Sequence, residues 1–189
     1  GLLEDYNTKM TLDFKEEGDL IYILGASSND IASSQYLAKI VNVAYSPAPQ
    51  FDLETEYALQ QKLAALISKG LIRSAHDTSE GGLFVTLCEA GFNRDLGFSV
   101  QTASTIRKDG FLFGEAQSRV VVSVALQNQK AFEAAVGDHP CEKIGVVTAG
   151  ETVVDGQFWG EISSWKDKYD NAISNLLSRE EANAALSTI

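Results

Sequence analysis

Runs of apolar residues along the chain alternate between two periods, and the alternation predicts a sheet with helices packed on it. Leu20-Ile21-Tyr22-Ile23-Leu24 and Val120-Val121-Val122-Ser123-Val124-Ala125-Leu126 are near-continuous apolar stretches, the mark of strands buried on both faces. The first is expected at the centre of the sheet. Met10, Leu12 and Phe14 alternate as in a first strand, and Leu71 to Ala75, Phe98 to Val100 and Lys143 to Val147 read as further strands. Asp155-Gly156 between Glu151-Val154 and Gln157-Gly160 is a hairpin signal, because a tight turn of this kind needs two residues that tolerate positive φ.

Helical spacing appears elsewhere. Leu59, Leu63, Leu66 and Ile67 form one stripe of a helix from about Leu53 to Lys69, capped by Asp52 and carrying Glu54 and Glu56 in its first turn. Burying those four side chains contributes on the order of 6–12 kcal/mol before entropy is subtracted. Shorter helices are expected at Tyr36–Val41, from Leu83 to about Phe92, and from Asn128 to Ala135. A last one runs from Trp165 to Leu177, with Ser163 or Ser164 as cap and Trp165, Tyr169, Ile173 and Leu176 on one face. Pro47 and Pro49 interrupt the pattern after Val41 and before Leu53.

Two polar blocks break into this apolar frame. Ser74-Ala75-His76-Asp77-Thr78-Ser79-Glu80-Gly81-Gly82-Leu83 joins a strand to a helix. A glycine pair at a helix start exposes backbone N–H donors to an anion, so Asp77, Ser79, Gly81 and Gly82 make a candidate phosphate loop. The same stretch also reads as an ordinary connection, with Asp77, Thr78 or Ser79 as N-cap. The second block, Phe113-Gly114-Glu115-Ala116-Gln117-Ser118-Arg119, runs straight into the valine strand. Glu115, Ser118 and Arg119 are candidate polar ligands there, or a loop-closing ion pair between Arg119 and Glu115. His76 reads first as a structural histidine hydrogen-bonded to its loop and second as an acid or base. His139 carries no role.

Charge and length narrow the classes. The 189 residues hold 15 basic and 26 acidic side chains, a net charge of −11, and 44% are apolar. Such a balance lacks the clustered cations that nucleic-acid binding needs, while leaving room for one phosphate held by main-chain donors. No apolar run approaches the ~18 residues of a membrane-spanning helix, and Cys88 and Cys141 lie far apart with no metal-ligand spacing around them. A soluble, cytoplasmic protein without a disulfide is expected, and the length fits one large domain or two small ones.

The two blocks, in order and spacing with Gly18-Asp19-Leu20-Ile21-Tyr22-Ile23-Leu24-Gly25, resemble the C-terminal domain of the aminoimidazole ribonucleotide synthetase superfamily. Within it, the resemblance is to the phosphoribosylformylglycinamidine synthase family of purine biosynthesis, over about residues 12 to 178. It implies a single domain over 1–189, an α+β fold with a mixed sheet flanked by helices, and a ligase that uses ATP and Mg2+ to amidate formylglycinamide ribonucleotide. It also implies that nucleotide, magnesium and catalytic histidine sit mainly on N-terminal nucleotide-binding domains, with ammonia supplied by a glutamine amidotransferase domain or subunit. By itself the chain is then inactive, with self-association an open question. His76-Asp77-x-Ser79 and Ser118-Arg119 look like the second of two domain copies. A substrate-contacting Glu-Ser-Gln triplet of the first copy reads Glu115-Ala116-Gln117 here, without the hydroxyl. Two alternatives stand: a ligand-free structural or interaction module, and a sister ATP-dependent enzyme such as selenophosphate synthetase, thiamine-phosphate kinase or a hydrogenase-maturation protein.

Overall fold

In a computed structural model, which describes Tyr6, residues 9–103 and residues 105–178, the apolar runs assemble into one seven-stranded mixed sheet. Its strands are β1 (Leu20–Leu24), β2 (Ser74–Asp77), β3 (Gly97–Val100), β4 (Val120–Val124), β5 (Cys141–Thr148), β6 (Glu151–Val154) and β7 (Gln157–Glu161). They lie in the order β2-β4-β1-β5-β3-β6-β7. All neighbours are antiparallel except β3 and β6. The helices are α1 (Leu53–Ser68), α2 (Gly82–Phe92), α3 (Lys108–Phe113), α4 (Gln129–Val136) and α5 (Ile162–Asp170). The fold is α+β, as expected.

Strand β1 shows why a continuous apolar run belongs inside the sheet. Ile21 and Ile23 enter one core with Leu83, Leu87, Phe98 and Phe111, while Leu20, Tyr22 and Leu24 enter another with Leu59, Leu66 and Phe132. Successive side chains of a strand point to opposite faces, so both faces need apolar residues. Helices α2, α3 and α5 cover the first face, and α1 and α4 cover the second. The Asp52 carboxylate accepts the Thr55 N–H at 2.7 Å and starts α1 as expected. Asp155 and Gly156 both have positive φ (50° and 74°), which is the geometry the β6–β7 turn requires.

Several expectations need correction. Met10, Leu12 and Phe14 form no strand; the segment lies irregularly over the core, with Phe14 buried and its N–H donated to Ala90 O. The strand expected at 71–75 is displaced to Ser74–Asp77, since Leu71 still belongs to the turn that closes α1 through Leu66 O. Asp77, Thr78 and Ser79 do not cap α2, whose N-cap is Gly81. Asn128 makes no side-chain cap for α4. The last helix begins at Ile162, so Ser163 and Ser164 lie within its first turn, and it is interrupted at Asn171 before a second helical stretch over 172–178. Ile173 and Leu176 are exposed there. Cys88 and Cys141 are free thiols, as expected. No helix among the described residues is long and apolar enough to cross a membrane.

Candidate functional site

Strands β2 and β4 are antiparallel neighbours, with Asp77 opposite Val120. The end of one therefore lies beside the start of the other, and the two polar blocks, remote in sequence, leave the sheet at the same point. The ladder is extended one step by the Thr78 N–H, which donates to Arg119 O at 2.9 Å.

Beyond the strands the blocks grip each other. Gly81 and Gly82 both take positive φ (85° and 69°), turning the chain sharply into α2. A Cβ on Gly82 would stand 2.8 Å from Gly114 O and from the Phe113 backbone. Glycine at 82 thus permits contact with the second block. The Gly81 N–H donates to Glu115 Oε1 at 2.9 Å, and the same oxygen accepts the Gln35 N–H at 2.8 Å. The anion at the glycine turn is therefore the chain's own carboxylate. Arg119, 2% exposed, donates from Nη2 to Gly114 O at 2.5 Å and from Nε to Ala116 O at 3.3 Å. Burial lowers its pKa from the ordinary arginine value, and its hydrogen bonds to carbonyls hold the 114–119 loop in place. Glu115 and Arg119 do not pair with each other.

The remaining candidates divide between the two faces of β2. Asp77 lines a small pocket of about 120 Å3 with Thr78, Gln117, Ser118, Arg119 and Glu56. There Ser118 Oγ donates to Glu56 Oε2 at 2.6 Å, while the buried Thr78 hydroxyl has no partner. Gln117 and Ser118 also border a cleft of about 1020 Å3, whose other wall includes Ser28, Asp30, Gln50 and Thr55. His76, one residue from Asp77, stands between two carboxylates: its Nδ1 lies 3.7 Å from Asp77 Oδ1 and its Nε2 lies 2.9 Å from Glu89 Oε2, while Glu89 Oε1 accepts the Tyr169 hydroxyl at 3.0 Å. That network ties β2 to α2 and α5. Ser79 is exposed, and its carbonyl accepts the Gly82 N–H at 3.0 Å.

Of the residues singled out in the sequence, Asp77, Ser118 and Arg119 meet in one place. Thr78, Gln117 and the 28–55 wall join them without having been singled out. Gln117 is visible within the second block; of the wall, Thr55 lies in the helix expected from Leu53, while Ser28, Asp30 and Gln50 lie in non-periodic stretches on either side of the helical turn Tyr36–Ile40. The concavity offers hydroxyls, amides and carboxylates, and Arg119 is the lone buried cation among its lining residues. Among the described residues no three or more His, Cys, Asp or Glu side chains are grouped to hold a metal ion.

Residues 16–156 match the family model described as AIR synthase related protein, C-terminal domain. The chain belongs to this family. It is also 37% identical, over 157 residues, to phosphoribosylformylglycinamidine synthase subunit PurL of Caldanaerobacter subterraneus subsp. tengcongensis, a match covering 82% of this chain and 21% of that protein. The chain thus spans about a fifth of this curated relative's length. Among solved structures, Thermotoga maritima PurL complexed with FGAR superimposes with a TM-score of 0.72 at 16% identity, over 85% of this chain and 30% of that one. The same PurL complexed with ATP gives 0.67 at 15% identity, over 85% and 28%. At those identities the two likenesses establish the fold.

Proposed function

We propose that the chain is one domain of a phosphoribosylformylglycinamidine synthase, the purine-biosynthesis ligase that converts formylglycinamide ribonucleotide to formylglycinamidine ribonucleotide. The observation that carries this reading is the 37% identity to a PurL subunit over most of the chain, in a fold shared with PurL bound to FGAR. In this reading ATP and Mg2+ are held mainly by N-terminal domains of the synthase, ammonia comes from a glutamine amidotransferase domain or subunit, and the 189 residues alone are inactive in the cytoplasm.

The domain's own contribution is a wall. Gly81 and Glu115 hold it by pairing with each other, Gly82 by allowing close contact with residues 113 and 114, and Arg119 by donating to the Gly114 and Ala116 carbonyls. Asp77, Gln117 and Ser118 are the side chains left to face a ligand, with Ser79 on the neighbouring turn. Four carboxylates, Asp30, Asp52, Glu56 and Asp77, line the two concavities. A lining of that charge suits ribose hydroxyls and leaves the phosphate's cations to be supplied by the opposing domain. Exposed Tyr45, Phe51, Leu53 and Tyr57 lie along the chain segment that forms this rim, and apolar surface of that kind is what an opposing domain covers.

A second reading, a ligand-free structural module, draws on one observation: the Gly81 N–H and the Arg119 guanidinium are spent inside the chain. The test is turnover by the full-length polypeptide that contains this chain, supplied with formylglycinamide ribonucleotide, ATP, Mg2+ and ammonia. Formation of the amidine product is the expected result. A folded polypeptide that makes no product, with glutamine and its amidotransferase also supplied, would overturn it.

A further inference from the structure

Both tryptophans of the chain stand in one open groove. Trp159 and Trp165 line it with Phe84, Phe92, Phe113 and Tyr169, around a volume of about 410 Å3. The rings are held by one another: Phe84 lies 5.2 Å from both tryptophans, edge-on to Trp165. Among the polar atoms of these walls, Trp165 Nε1 donates to Thr152 Oγ1 at 3.2 Å and the Tyr169 hydroxyl to Glu89. The charged group at the rim is the Lys168 ammonium, which lies 4.2 Å over the Trp165 ring and makes no ion pair among the described residues. Further apolar side chains are exposed along the chain at and after Tyr169. Tyr169 is 54% exposed, and on the helical stretch that follows Ile173, Leu176 and Leu177 are 75, 58 and 55% exposed. Apolar patches of this extent mark contact surfaces.

We propose that this groove, with Ile173, Leu176 and Leu177, is the docking surface for an amphipathic helix of the same synthase polypeptide, from outside these 189 residues. A small molecule filling the groove would leave the three exposed side chains in water, whereas a helix laid along α5 and the 172–178 stretch covers both. Its apolar residues recur at i, i+3 or i+4, and i+7 to enter the aromatic groove. An aspartate or glutamate on its flank meets Lys168, whose charge is complementary to it and is desolvated by the docked helix. The proposal rests on the reading of the chain as one domain of a longer enzyme, of which the matched PurL relative carries about four-fifths beyond the aligned region.

The test is photocrosslinking in the full-length polypeptide, with benzoylphenylalanine placed at Ile173, whose 75% exposure leaves the packing undisturbed, and, separately, at Tyr169, where the probe keeps an aromatic ring against Phe92 but loses the hydroxyl to Glu89, so that the melting temperature is recorded for both. Both positions are expected to give an intramolecular adduct to one and the same helical segment outside the 189 residues, bearing an apolar stripe and an acidic flank. Lys168→Glu should lower the adduct yield at Tyr169 by roughly fivefold, through like-charge repulsion at the rim. No adduct at either position, adducts that join two copies of the chain, adducts to a segment without a helical apolar stripe, or a yield indifferent to Lys168→Glu would each overturn the proposal. Turnover is measured on the same preparation before irradiation. Turnover without an adduct sinks the docking surface alone, and an adduct without turnover sinks the functional reading alone.

Discussion

The Glu115 carboxylate stands 2.9 Å from the Gly81 backbone nitrogen and accepts its hydrogen bond, joining two polar blocks that lie 34 residues apart in sequence. Since the same oxygen also takes the Gln35 N–H, one side chain ties together the glycine turn, the 26–35 loop and the entry to β4. Glu115→Ala leaves two backbone donors without their partner. A loss of about 0.5–1.5 kcal/mol in unfolding free energy is expected, measured by urea denaturation. Glu115→Gln keeps an acceptor oxygen and should recover most of that loss. Equal stabilities for the two variants would show that the clasp does not contribute.

Gly82 is the glycine whose replacement would meet backbone: a Cβ on Gly81 would come 2.4 Å from a Val85 side-chain carbon, one on Gly82 2.8 Å from main-chain atoms. The φ of 69° at Gly82 is one penalty for any other residue, and the 2.8 Å distance at which a Cβ would meet Gly114 O and the Phe113 backbone is another, because neither backbone atom can swing aside as a side chain does. Gly82→Ala is expected to lower stability by about 1–3 kcal/mol from the left-handed conformation alone, with the contact adding to it. Gly81→Ala meets only the Val85 side chain and should be the milder change. Thermal melts of the two variants check the order; a Gly81 variant less stable than the Gly82 variant contradicts it.

These positions also show what is legible in the chain before any coordinates. The runs at Leu20–Leu24 and Val120–Val124 fit only interior strands, because each has apolar residues for two cores at once. Asp155-Gly156 announces its own turn through residue chemistry. Block proximity follows once β2 and β4 are neighbours, yet neighbourhood in a sheet depends on contacts distant in sequence and has no local signal. Helix α3 escapes a reading by periodicity because its six residues carry Gly110 in the middle, where Asn29 packs closely enough to require a small residue. Met10, Leu12 and Phe14 mislead for a different reason: alternation there serves a covering segment that buries Phe14 and gives Thr11 O to the Ala75 N–H, without forming a ladder.

Asp155 makes the β6–β7 turn sensitive to acid. Burial raises its pKa, but the Lys108 ammonium at 2.8 Å and hydrogen bonds from Thr102 outweigh that and lower it overall. A carboxylate with a lowered folded-state pKa adds stability that is complete above its unfolded value of about 3.9 and is lost as pH falls through the folded value. Asp155→Asn keeps an acceptor for the Thr102 N–H and tolerates the positive φ while removing the charge. The wild-type chain should therefore melt at a higher temperature than Asp155→Asn near neutral pH, and the difference should disappear in acid. A difference that persists at the lowest pH would assign it to packing.

Gln117 is the most direct probe of the ligand-facing wall. Its side chain is exposed, has no hydrogen bond among the described residues that holds the fold, and borders both concavities between the two blocks and the 28–55 segment. The decisive measurement is steady-state kinetics of Gln117→Ala in the full-length polypeptide, with formylglycinamide ribonucleotide and ATP varied in turn and the melting temperature recorded alongside. A rise of about tenfold in KM for one of the two substrates, equivalent to about 1.4 kcal/mol of lost binding, is expected with melting unchanged. Unaltered KM and kcat for both substrates would contradict the assignment of this wall to the synthase site.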